Sequence, residues 1–260
     1  MRIKQALAAG LCVLALGALC SVAYGQGGTL DDDEWEVIVA PYVWTVGMSG
    51  DVTIEGTEAS ADVDFEDILD NLDVAGRLRL EVRRGRVGFF VDPTYVNLST
   101  DGNVGPVGVG IDTECMFVEF GGYYRVGIGP IEEFEVEVAT VDLLVGGRYW
   151  DIESKIDFPA SPDAQGGEEW IDPIVGVRFV AADPMAGLSI LVEGDIGGFG
   201  AGSDLTWNVT TLLGWRFMER ATVWLGYRVL DVDYDEGSGA SRFEFDAVMS
   251  GPLAGCALRF

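Results

Sequence analysis

The feature that most restricts this chain is a two-residue hydrophobic period, sustained longer than the strands of a soluble protein require. In 205–217, Trp207, Val209, Thr211, Leu213, Trp215 and Phe217 fall on one face. Thr206, Asn208, Thr210, Gly214 and Arg216 fall on the other, with Leu212 the exception. In 188–199, Leu188, Ile190, Val192 and Ile196 oppose Ser189, Glu193, Asp195 and Gly197. In 74–83, Leu78, Leu80 and Val82 oppose Arg77, Arg79, Glu81 and Arg83. Such alternation is a β-strand with one apolar and one polar face. Ten segments read this way: 35–48, 74–84, 86–98, 107–126, 134–151, 168–181, 187–200, 205–217, 221–235 and 241–260. Most reach the ~9–11 residues that cross a bilayer as a tilted strand, and exceed the roughly five or six of globular sheets.

The connections sort by length. Those at 84–86, 182–186 and 218–220 are tight, whereas 49–73 and 152–167 are long and 99–106 and 236–240 are intermediate. The links at 201–204 and 127–133 break the rule. Short links on one side and long ones on the other, with an even strand number, predict an all-β fold: a transmembrane antiparallel up-and-down β-barrel of about ten strands, eight or twelve remaining compatible. Breaks in parity near Ala139 and Gly251 suggest bulges. Residues 1–25 read as a secretory signal: Arg2 and Lys4, an apolar run over 6–22, then Ala23-Tyr24-Gly25. A membrane anchor is the alternative. Residues 26–34 are then a periplasmic tail and 35–260 the barrel, placed in a bacterial outer membrane.

Composition removes other functions. The chain of 260 residues has no histidine, so it holds no Ser-His-Asp or Cys-His machinery and no His-ligated metal. A net charge of −27 argues against nucleic acid as a partner. Yet 48 % of residues are apolar, too many for a solvated polyanion. After the signal, Lys155 is the one lysine, and Cys115 and Cys256 remain either as a disulfide or as two free thiols.

Charges on the polar faces are expected to line the lumen: Arg77, Arg79, Glu81, Arg83, Asp92, Asp142, Arg148, Asp172, Arg178, Glu193, Asp195, Arg228, Glu244 and Asp246. An arginine facing lipid at mid-depth would cost ~2–4 kcal/mol, and its planar fork suits carboxylates. Two outcomes follow, a lumen filled by salt bridges or a narrow charge-lined pore. Trp35, Tyr42, Trp44, Tyr123, Tyr124, Tyr149, Trp150, Trp170, Tyr227 and Tyr234 are expected to form interfacial girdles. Phe65, Ile68, Leu69 and Leu72 have the spacing of a short amphipathic helix in the first long loop, a cover for the barrel mouth or a lid. Asp231, Asp233 and Asp235 make a weak candidate for a divalent cation, short of any EF-hand pattern. No cofactor is expected. The glycine-rich stretches 105–110 and 197–202 lack the Lys-Ser/Thr of a phosphate loop.

The terminal strand has Phe260, Leu258, Cys256 and Ala254 on one face. It resembles the C-terminal signal of bacterial outer-membrane barrels, which implies reading by the barrel-insertion machinery. The segments 141–150, 170–178 and 226–234 resemble strands of a little-characterised bacterial outer-membrane barrel family. That resemblance implies a fold and a location and carries no catalytic residue. The functional expectation is a barrel with a structural or narrow-channel role, in contact with outer-membrane lipid and lipopolysaccharide and not catalytic. The alternatives are a surface ligand-binding or adhesion barrel, and a soluble periplasmic lipocalin-like barrel. Oligomeric state is not legible.

Overall fold

The structure, a computed structural model, describes residues 34–54, 56–62, 74–127, 129–130, 138–159 and 162–260. The expected signal (1–25), almost all of the 26–34 tail and the expected helix of Phe65, Ile68, Leu69 and Leu72 lie outside the described residues.

Twelve antiparallel segments close one sheet: β1 Trp35–Thr45, β2 Gly47–Ile54, β3 Thr57–Asp62, β4 Val74–Arg84, β5 Val87–Val104, β6 Val107–Gly127, β7 Val138–Asp157, β8 Ala164–Asp183, β9 Leu188–Gly198, β10 Leu205–Met218, β11 Ala221–Glu236 and β12 Phe243–Arg259. The staves number ten. β1 and β2 run on from one another along β12, Tyr42 facing Gly255 and Met48 facing Met249. β3 and β4 share the next stave, because Asp62 faces Ser49 and Val74 faces Thr45. β12 returns to β1, where Val37 and Phe260 exchange backbone hydrogen bonds of 3.0 and 2.8 Å. Closure leaves both ends of the described chain at the short-turn end.

The strands are longer than expected. β5 and β6 meet at a two-residue turn with Gly105 in the left-handed region, φ +56°, so 99–104 is strand rather than loop. Most of 49–62, 152–157 and 164–167 is strand as well. At ~3.3 Å per residue and a tilt near 40°, a 20-residue strand such as β7 or β8 rises about 50 Å, twice the ~25 Å apolar band of a membrane barrel. The excess is explained by the faces. In β7, the outward Leu143 and Val145 are more than half exposed, and higher on the same face stand Asp151, Glu153, Lys155 and Asp157. The inward residues change the other way, from Asp142 and Arg148 to Trp150, Ile152 and Ile156. β6, β8 and β11 change in the same sense, and β12 does so on its outer face. The barrel therefore has a lower tier, apolar outside and ionic inside, and an upper tier, acidic outside and apolar inside.

Candidate functional site in the barrel lumen

The lower-tier interior is a continuous ion-paired layer. Antiparallel alternation sends Arg77 and Arg79 of β4, Glu119 of β6, Asp142 and Arg148 of β7, Arg178 of β8, Glu193 and Asp195 of β9, and Arg228 of β11 inward. All but Asp195 are essentially buried. Arg79 grips Glu193 through both nitrogens at 3.0 and 3.1 Å. Arg178 grips Glu81 at 2.7 and 3.1 Å and reaches Asp142 through Nε at 2.8 Å. Arg125 takes the same Asp142 at 2.7 and 2.8 Å. Arg77 pairs bidentately with Asp92 and touches Glu119 at 3.4 Å.

Glu119 is the hub. Its Oε1 accepts from Arg148 Nε at 3.0 Å and Nη2 at 2.6 Å, and from Arg228 Nη2 at 2.8 Å. Arg148 also reaches Asp195 at 2.7 Å and donates to Thr206 Oγ1 at 3.0 Å. Asn208 then joins Asp195 to Arg228. The connected set is Arg77, Arg79, Arg125, Arg148, Arg178 and Arg228 against Glu81, Asp92, Glu119, Asp142, Glu193 and Asp195, so the layer is formally neutral. Burying an ion is costly unless it is paired and hydrogen-bonded, and bidentate arginine forks meet both requirements. Aromatic faces add to this: Arg79 lies 4.6 Å over Phe90 and Arg178 4.6 Å over Tyr123, whose hydroxyl donates to Glu81 at 2.5 Å.

Two expected lumen residues, Arg83 and Asp172, stand apart from the layer. Arg83 belongs to a separate group at the turn end, with Glu36 and Arg259. Asp172, fully buried, is held by neutral donors instead. It accepts from the Ser203 N–H at 2.7 Å, Ser203 Oγ at 2.8 Å, and the indoles of Trp150 and Trp170 at 2.8 and 3.3 Å. Arg228 spends one face on Trp44 and Phe117, at 5.2 and 5.4 Å.

Two expected lumen residues, Glu244 and Asp246, are corrected. They lie on the outer face of β12, because Phe243, Phe245 and Ala247 take the inward positions of the upper tier. Glu244 accepts from Thr53 Oγ1 at 2.6 Å and pairs with Arg242. The girdle reading is corrected in part. Trp35, Tyr124 and Tyr227 are exposed on the outer face, but Tyr42, Trp44, Tyr123, Trp150, Trp170 and Tyr234 are buried. Phe117, Trp150, Trp170, Tyr234 and Phe243 form a file of rings inside the barrel, with successive centroids 5.0, 5.7, 3.8 and 6.3 Å apart, at the boundary between tiers. Cys115 is free and faces the upper core, and Cys256 is free in the lower part of β12. Asp231, Asp233 and Asp235 stand on the outward positions of β11, and among the described residues no group of three or more ligating side chains could hold a metal.

The sequence reading missed Glu119 and Arg125, assigned Tyr123 to a girdle, and placed Asn208 on a polar face without a role. A signal for Glu119 was present. The apolar residues of β6 occupy odd positions up to Phe117 and even positions from Met116 onward, and that exchange places Glu119 inside.

No protein-family model matches the sequence, and no curated protein matches it. Among solved structures, the chain is similar to the outer membrane protease OmpT from Escherichia coli, with a TM-score of 0.50 and 8 % identity over 89 % of this chain and 100 % of that one. It is also matched to Neisserial surface protein A (TM-score 0.36, 12 % identity, 86 % and 97 % covered) and to Ail of Yersinia pestis (0.38, 9 %, 87 % and 98 %). At such identities the likeness concerns architecture alone, and the fold of this chain is that of the bacterial outer-membrane β-barrels.

Proposed function

We propose that this chain is a sealed barrel of the bacterial outer membrane, structural in its lumen and neither a catalyst nor an open pore. The observation that carries the reading is the neutral ion-paired layer across the lower tier, roofed by an apolar core. A cavity of about 30 Å³ lies beside Arg79, Arg178 and Glu193. It has room for on the order of one water and none for a hydrated ion. Location is supported by the belt of Leu143, Val145, Val175, Leu213 and Leu225 outside that layer. The same inside-out polarity argues against a lipocalin-like barrel, which would place its apolar face around a ligand cavity. The carboxylates of the layer are each committed to arginine, which leaves no free general base there. Phe260 is read as the residue presented to the insertion machinery, and the acidic collar as the part that meets lipopolysaccharide and surface ligands.

The test is conductance of the refolded protein in planar bilayers. The expected trace stays at the baseline of the lipid alone. Reproducible single-channel steps, altered by Arg148→Glu, would overturn the sealed reading in favour of the narrow pore.

A further inference from the structure

The upper tier is not closed all the way round. β9 and β10 turn back at Gly198 and Leu205, so β8 pairs with β9 only from Ile174 onward. Above that point β8 keeps β7 on one side through Ala164. On its other side, among the described residues, no strand pairs with 164–173. The foot of this gap is shut by Ser203 on Asp172 and by Trp170 stacked on Tyr234.

Ladder parity identifies the open groups. Carbons built on Gly202 and Gly197 would fall 2.8 Å from the Ile171 carbonyl and 2.5 Å from that of Pro173, so the odd residues of β8 aim their backbone groups away from β7. Alternation then gives Gln165, Gly167 and Glu169 N–H and C=O groups along the open edge. Unpaired edges template the addition of another strand unless something blunts them. Here 165–169 is exposed apart from a half-buried Gly166, and proline enters only at Pro173. A groove of about 660 Å³ lies over this stretch of β8 and its partner β7, lined by Asp151, Glu153, Glu168 and Glu169.

We infer that this edge of β8 binds an extended, cationic polypeptide segment by strand addition. The backbone of Gln165, Gly167 and Glu169 would supply the ladder, and Glu169 on the outer face, backed by Asp151 and Glu153 of β7, would select lysine or arginine at alternate positions. A second copy of this chain is disfavoured by the same charge, because its own edge carries the same acids. The inference rests on the reading of the collar as water-facing.

The test uses the full chain refolded in short-chain lipid vesicles, with heat-modified gel mobility as the fold check. The probe is a labelled synthetic peptide alternating lysine and threonine, followed by fluorescence anisotropy. Wild type is expected to bind. The double variant Gln165→Pro/Glu169→Pro removes two edge N–H groups without touching a bond to β7, and should weaken binding at least about tenfold. Glu169→Gln should weaken it about two- to fivefold at low salt, and less at high salt. A peptide N-methylated at alternate residues should not bind. No binding to a folded wild type, or equal binding by the proline variant, overturns strand addition, the second outcome pointing to charge alone. A chain that fails to insert into vesicles overturns the membrane reading instead.

Discussion

The lower and upper tiers are built from the same strands and solve opposite problems. Along β6, the inward series passes from Ile111, Cys115 and Phe117 to Glu119, Tyr123 and Arg125, while the outward series passes from Asp112 and Glu114 to Met116, Phe120 and Tyr124. Surrounded by lipid, the lower tier gains nothing by hiding apolar groups from its surroundings, so its polar groups go inside, where only mutual pairing makes burial tolerable. Surrounded by water, the upper tier is an ordinary apolar core in a charged shell. The difference teaches that side-chain parity is not a property of a strand. It is set level by level by the solvent outside.

The comparison is easiest to break at its hub. Glu119→Ala leaves Arg148 and Arg228 buried without their shared counter-charge, and should destabilise the barrel by about 3–5 kcal/mol in urea unfolding from vesicles. Next is a pair of matched substitutions on the outer face of β7. Leu143→Arg should cost ~2–4 kcal/mol if that site lies at mid-membrane, and Asp151→Arg, eight residues higher, should stay within about 0.5 kcal/mol. Equal effects would erase the distinction between tiers. At the boundary, Asp172→Asn keeps the size but turns an amide against indole and serine donors, and should cost about 1–3 kcal/mol by the same measurement. Smallest is the response of the collar pairs Lys155–Asp163 and Arg242–Asp235, both well exposed, whose removal should move the unfolding midpoint by less than its error in high salt.

Much of the fold was legible because the lower tier obeys one rule throughout. The alternation of Trp207 to Phe217 against Thr206 to Arg216 is a lipid face against a lumen face, and the lower parts of β4 to β11 carry such a stretch. Strand ends were misjudged where the rule inverts. Ser99 to Asn103 and Glu153 to Asp157 look like loop because Ser99, Asp101, Asn103, Glu153, Lys155 and Asp157 occupy the face that meets water. Glu244 and Asp246 were assigned to the lumen for the same reason, a polar face being inward only below the boundary. Trp44, Trp150 and Trp170 resemble a girdle by composition, but partner and direction depend on register. The inversion does leave a trace, pairs of adjacent apolar residues where the two series cross: Phe117-Val118, Tyr149-Trp150, Trp170-Ile171 and Val229-Leu230. The ion-pair partners, Arg79 with Glu193 above all, are separated by 114 positions and follow only from barrel closure.

The central claim is the exchange of faces within single strands, and a spin-label scan of β7 tests it directly. With Cys115 and Cys256 replaced, single cysteines at Leu143, Val145, Tyr149, Asp151 and Glu153 would be labelled in vesicle-inserted protein, and their access to oxygen and to a water-soluble relaxation agent compared. The account predicts oxygen-dominated relaxation at 143 and 145, water-dominated relaxation at 151 and 153, and the crossing near 149. Lipid-like values at 151 and 153, or water-like values at 143 and 145, would contradict it.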